Sequence, residues 1–279
     1  MRSEGGSVPE TPGRAAPAFL SAGFRPFFAG AGLYALVAGL AWIPLYERGS
    51  VPDFPLVPAL WHGHEMLFGY AVAPLAGFLL TATPGWGGTK PIGAARLAGL
   101  FALWLLGRIA YGIAGGLPAA LVAGLDLAFL PALALAVAPA IVRAENKRNR
   151  IFFAIFALLI ASNVMVHLEA LGIDSPGASY GLRLALDVFV LLIAMIGGRI
   201  VPSFTANWLG AQGREAPSFR PAFLERAAIL SIALLIVADI LLPESAVSGL
   251  FALAAGVLNL LRLSGWRGHR TWREPLLGV

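Results

Sequence analysis

Three of the four histidines in this 279-residue chain, His62, His64 and His167, fall at one depth near one face of a series of apolar segments. Imidazole binds haem iron, copper or zinc while remaining neutral, and two imidazoles from different helices can clamp a haem from opposite faces. His64 with His167 is the preferred pair. His62 and His64 are two positions apart, about 200° around a helix, so both face one centre only where a helix begins between them. His62 is therefore expected as a second-site or copper ligand, or as a rim residue.

Other polar side chains share the layer. Arg108, Asp126 and Asp187 belong to the same outer third of the segments, with Glu65, Glu169 and Asp239 nearer the rim. Ionisable groups inside hydrocarbon are costly and mark cofactor, ion or proton sites. The acidic residues are candidates to accept a ligand imidazole's second N–H and fix its tautomer. The plainer reading is that a buried histidine is an internally satisfied hydrogen-bonding residue and that an Arg or Asp near a helix end reaches to the interface. For Glu65, Glu169 and Asp239 that solvated-rim reading is the expected one. His269, in a basic stretch, reads as an ordinary exposed histidine.

The elements that must position these groups are set by composition. The chain is 58% hydrophobic and 13% charged, with a mean hydropathy of +0.78, whereas soluble domains carry about 25% charged residues. The apolar runs are continuous rather than alternating, so they predict helices rather than barrel strands. Each is long enough for a hydrocarbon core of roughly 30 Å, which takes about 20 residues. Segments at 27–46, 62–83, 95–114, 118–141, 151–172, 181–201, 223–242 and 247–263 predict an all-α polytopic bundle of about eight spanning helices. Residues 1–20, rich in Gly, Pro, Ser and Glu, are expected to form a disordered tail, residues 21–265 the transmembrane domain, and residues 266–279 a basic C-terminal segment.

Basic residues set the expected orientation. Arg2, Arg14 and Arg25 in the tail, then Lys90 and Arg96, then Arg143, Lys147, Arg148 and Arg150, then Arg214, Arg220 and Arg226 fall in alternate connections. Arg262, Arg267, Arg270 and Arg273 add to that side, while the opposite connections offer Arg48 and Arg183. The positive-inside rule then puts both termini in the cytoplasm and the histidines near the outer surface. The net charge of +5 reads as topology signal, with no single basic face for nucleic acid.

Several chemistries are excluded. With no cysteine, disulfides, thiolate metal sites, c-type haem and cysteine-ligated iron–sulfur clusters are ruled out. HGHEM lacks the four-residue histidine spacing of a metalloprotease helix, and there is no P-loop, dinucleotide fingerprint or nucleophile elbow.

At the opposite ends of the segments lie GFRPFF (Gly23 to Phe28), TATPGWGG (Thr81 to Gly88) and GGRIVPSFTANW (Gly197 to Trp208). Trp86 and Trp208 suit interface anchors, and Arg25 and Arg199 have the geometry to hold a carboxylate or haem propionate. In order and separation, SAGFRPFF, LWHGHEMLFGYAVAPLAGFLLTATPGW, NVMVHLEALG and MIGGRIVPSFTANWL resemble the NnrS family over about residues 18 to 276. The resemblance implies a polytopic bacterial inner-membrane protein containing haem b and copper, linked to nitric oxide metabolism and resistance to nitrosative stress. It implies His62, His64, Glu65 and His167 as cofactor candidates, with Arg25, Arg199, Pro202, Thr205 and Asn207 as motif positions without an assigned role. Family members usually have about a dozen spanning helices, continuing past the motif that WREPLL (Trp272 to Leu277) resembles. This chain ends at Val279, which implies either a truncated sequence or a short variant.

The leading expectation is thus a membrane haem protein, with copper as a second group, acting on or through nitric oxide; whether it is an enzyme is left open. A proton- or cation-coupled transporter is the alternative, with Asp126, Asp187, Arg108 and the histidines as a relay, and an assembly factor for a respiratory metalloenzyme is the third class. The expected partners are the lipid bilayer and a small molecule such as nitric oxide, no nucleic acid, and either a homo-oligomer or a respiratory complex.

Overall fold

Leu, Ala, Val and Phe supply helix-forming or lipid-compatible side chains along almost every segment, and backbone groups in hydrocarbon must be satisfied within the segment itself. The computed structural model describes residues 17–49, 56–173, 177–214, 221–266, 270, 271 and 274, and these are helical with no strand. The helices are α1 (Phe24–Arg48), α2 (Pro58–His64), α3 (Val72–Gly87), α4 (Ala94–Gly112), α5 (Ala119–Leu127), α6 (Phe129–Arg143), α7 (Ile151–Ala170), α8 (Gly177–Ala211), α9 (Ala222–Leu241) and α10 (Ala246–Ser264). Arg2, Arg14, Arg220, Arg267, His269, Arg273 and most of the two terminal segments lie outside the described residues.

Seven helical units among the described residues are long and apolar enough to cross a membrane: Phe24–Arg48, Pro58–Gly87, Ala94–Gly112, Ala119–Arg143, Lys147–Ala170, Gly177–Ala211 and Ala246–Ser264. The seventh expected segment is the 20-residue α9, which includes Glu225, Arg226 and Asp239 and does not reach that standard by composition. The chain is an all-α, multi-pass helical bundle. Its most exposed apolar residues, among them Leu33 at 66%, Leu135 at 76% and Ile193 at 70%, would be anomalous in water and are ordinary against lipid.

Two expected helices are interrupted. Between α2 and α3 the chain forms a π-helix over Glu65–Ala71, where the N–H of Val72 reaches back five residues to the Leu67 carbonyl. The wider turn changes which residues face inward, and His64, Glu65, Phe68, Gly69 and Val72 are all buried. Trp104 Nε1 donates to the Gly69 carbonyl at 3.0 Å. The α5–α6 junction at Ala128 precedes Pro131, which has no N–H to give the Leu127 carbonyl.

The sixth expected segment is longer than read. α8 has 35 residues, about 52 Å at 1.5 Å per residue, and runs through Pro202 rather than stopping before it. Arg262, counted above among the orienting loop charges, is in fact 6% exposed within α10. It donates to Glu225 Oε2 of α9 at 2.8 Å and to the Ala194 carbonyl of α8 at 2.7 Å, joining three helices.

Candidate functional site

Five elements meet at the histidine-bearing end. α2 and the π-helix bring His64 and Glu65, α4 brings Arg108, α5 brings Asp126, and α7 brings His167 together with Asn163, one turn before it on the same face. Every one of these side chains is at most 5% exposed.

Asp126 is the hub. Its Oδ2 accepts from Asn163 Nδ2 at 2.8 Å and lies 2.9 Å from His167 Nε2 and 3.2 Å from His64 Nε2. Its Oδ1 pairs with Arg108. Arg108 also donates to Glu65 Oε1 at 2.5 Å, and the same Glu65 oxygen lies 2.8 Å from His64 Nδ1. His64 Nε2 is 2.9 Å from Asn163 Oδ1. The His64 and His167 rings stand edge to face, with centroids 5.5 Å apart and planes at 80°. Tyr111 stacks on His64 at 4.0 Å and 9°.

Gly69 makes the close approach possible. A β-carbon there would come within 2.6 Å of the Tyr34 ring and 3.0 Å of the Arg108 guanidinium. The π-turn thus delivers His64 and Glu65 inward and leaves a bare backbone for Arg108 to lie against.

Charge in this cluster is uneven. Two carboxylates face one guanidinium, so with both ionised the cluster carries a surplus negative charge that a proton or a metal ion would close. Glu65 Oε2 and Arg108 Nε, both buried, have no hydrogen-bond partner among the described residues. A ligand atom from each of His64, Asp126 and His167 lies within 4.8 Å of the others. Two imidazoles and a carboxylate form a recognised ligand set for first-row transition metals, with bonds of about 2.0–2.2 Å, so these residues fit an ion. A porphyrin clamped between His64 and His167 does not fit: the two rings stand edge to face with centroids 5.5 Å apart, and one oxygen of Asp126 lies within 3.2 Å of the Nε2 atoms of both.

The structure therefore brings together His64, His167, Glu65, Arg108 and Asp126, and leaves others apart. Glu65, expected at a solvated rim, is fully buried instead, because the π-turn rotates it against Arg108. His62 stacks on Trp42 at 4.3 Å, away from the cluster. Glu169 accepts from the Ala178 N–H at 2.6 Å and so caps the start of α8. Asp187 faces Asp239 across α8 and α9, outside the cluster.

Among the motif positions at the other end, exposed Arg25 donates to the Ala18 carbonyl and Arg199 to Asn149 Oδ1, so the two arginines have different partners. Pro202 and Thr205 are buried and Asn207 is exposed. Trp86 stacks on Phe152. Sequence reasoning missed Asn163 and Tyr111; the signals were present, since Asn163 precedes His167 by four residues and Tyr111 follows Arg108 by three.

No curated protein and no solved structure matches the chain. A family model described as NnrS protein matches residues 18–279, almost the whole chain and every element of this cluster, and the chain belongs to the NnrS family.

Proposed function

We propose that this is a multi-pass protein of the bacterial inner membrane, with the histidine-bearing end toward the periplasm, that binds a transition-metal ion and acts in nitric oxide metabolism or nitrosative-stress resistance. The observation that carries the metal is the buried convergence of His64, Asp126 and His167 from three separate elements. Copper, which the family resemblance implies, is the ion of choice, because nitrogen and oxygen donor sets bind it most strongly among first-row divalent metals. Bound there, it would supply a coordination position for a small diatomic molecule.

This chain's own residues do the rest. Arg108 and Asn163 hold Asp126 in place, Glu65 accepts from His64 Nδ1 and fixes its tautomer, and Tyr111 shields the ring face. The apolar surroundings keep water from the cluster. Any haem b carried by the chain is held by residues other than the His64 and His167 pair.

A second reading rests on a different observation. The continuous hydrogen-bonded set Glu65, His64, Asn163, Asp126 and His167, with the separate Asp187 and Asp239 pair, suits proton movement in a transporter. Metal analysis and a visible spectrum of detergent-purified protein separate the two. About one copper per chain, lost in His64→Ala and His167→Ala but kept in His62→Ala, supports the metal site. Metal-free, colourless protein that carries protons into liposomes supports the transporter.

A further inference from the structure

A cavity of about 1130 Å³ lies between α1 and α4 and borders the cluster at Arg108 and Tyr111, while His64, Asp126 and His167 do not line it. Small-molecule pockets are typically about 300–1,000 Å³, so it is large enough for a sizeable ligand. Its walls include the rings of Tyr34, Trp61, Trp104 and Tyr111, and its one charged lining residue among the described residues is Arg108. Leu33 and Val37 of α1 and Leu105 and Ile109 of α4 also line it, and each is at least 41% exposed. The mouth thus opens toward the lipid, and an occupant enters sideways from the bilayer. At Gly30, another lining residue, a β-carbon would come within 2.8 Å of Phe101 and 3.0 Å of Trp104, so α1 and α4 close together at that end.

Arg108 points to the chemistry of the occupant. Its terminal nitrogens are taken by Glu65 and Asp126, while its Nε–H, buried, has no acceptor among the described residues. The guanidinium carbon stands 6.0 Å from the centroids of both Tyr34 and Tyr111. A buried donor between aromatic rings suits a flat ring bearing an acceptor oxygen.

We propose that this cavity binds a lipid-soluble quinone. The ring lies among the aromatic walls, a ring carbonyl accepts from Arg108, and the apolar tail leaves through the mouth between α1 and α4. A porphyrin is the poorer occupant, because no histidine or methionine lines the cavity among the described residues. Tyr111 both lines the cavity and stacks on His64, so one tyrosine ring separates the quinone from that imidazole. The site rests on the cavity and not on the metal.

The test uses the full chain in phosphatidylcholine nanodiscs, titrated with decylubiquinone and followed by quenching of tryptophan fluorescence. Ala41→Phe and, separately, Gly112→Phe add a ring to the cavity lining; Leu135→Phe, on the exposed face of α6, is the control. Saturable quenching in the unaltered chain and in Leu135→Phe, weakened at least tenfold in a folded cavity variant, is the expected result. Unsaturating quenching equal in all four proteins, which reports partitioning into the bilayer only, overturns the proposal. So does recovery of a porphyrin that either cavity variant loses. Copper content measured on the same samples keeps the readings distinct: a copper-free chain that still shows saturable quenching contradicts the metal site and leaves the quinone site standing.

Discussion

Two arginines are buried in this bundle to the same degree, Arg108 at 5% and Arg262 at 6% exposed, yet their surroundings differ in kind. Arg262 meets one carboxylate, Glu225, one carbonyl, Ala194, and the face of Trp266 at 5.4 Å. The backbone at Gly198 lies so close that a β-carbon there would collide with the guanidinium. Among the described residues Arg262 faces a single carboxylate. Arg108 instead meets two carboxylates that are shared with two imidazoles and an amide. A buried arginine with a carboxylate and a carbonyl of its own is a fastening, whereas a guanidinium ringed by two carboxylates that two imidazoles also share signals a place for something else.

That contrast can be broken from either side. The largest effect belongs to Asp126→Asn, which keeps the shape and removes the charge at the hub. It should abolish copper binding and lower stability by about 1–3 kcal/mol, because His64, His167 and Asn163 lose the carboxylate they share while Arg108 keeps Glu65; metal analysis and a thermal melt check both. Arg262→Met should leave copper content unchanged while costing about 3 kcal/mol, because it takes the buried partner from Glu225. Copper loss in that variant would erase the distinction between the two arginines. Gly198→Val should shift the melt in the same direction by about 1–3 kcal/mol through overpacking, again with full copper. Glu169→Ala removes only the cap on Ala178 and should cost about 0.5–2 kcal/mol, without touching the metal.

The fold was legible where hydropathy alone decides it. All eight apolar segments correspond to helices, and the pairing of His64 with His167 followed from depth along helices running in opposite directions. Side-chain phase was not legible. Nothing in EMLFGYA announces a π-turn, since hydropathy does not record whether hydrogen bonds run to the fourth or the fifth residue, and this hid the burial of Glu65. Arg262 was misread for a related reason: a charge near a helix end resembles a loop charge until Glu225, on a different helix, is seen to meet it. Asp187 and Asp126 share a depth, but they lie on helices with different neighbours, and depth carries no information about azimuth. Pro202 reads as a helix stop, yet α8 continues through it to Ala211, forfeiting one backbone bond.

The central claim is that imidazoles from α2 and α7 share one ion with Asp126. Electron paramagnetic resonance of the copper(II)-loaded chain tests it most directly, through the nitrogen couplings on the metal signal. The account predicts two coupled imidazole nitrogens in the unaltered protein and in His62→Ala, and loss of that copper signal in His64→Ala and in His167→Ala. An unchanged two-nitrogen signal in either variant, or its loss in His62→Ala, would contradict it.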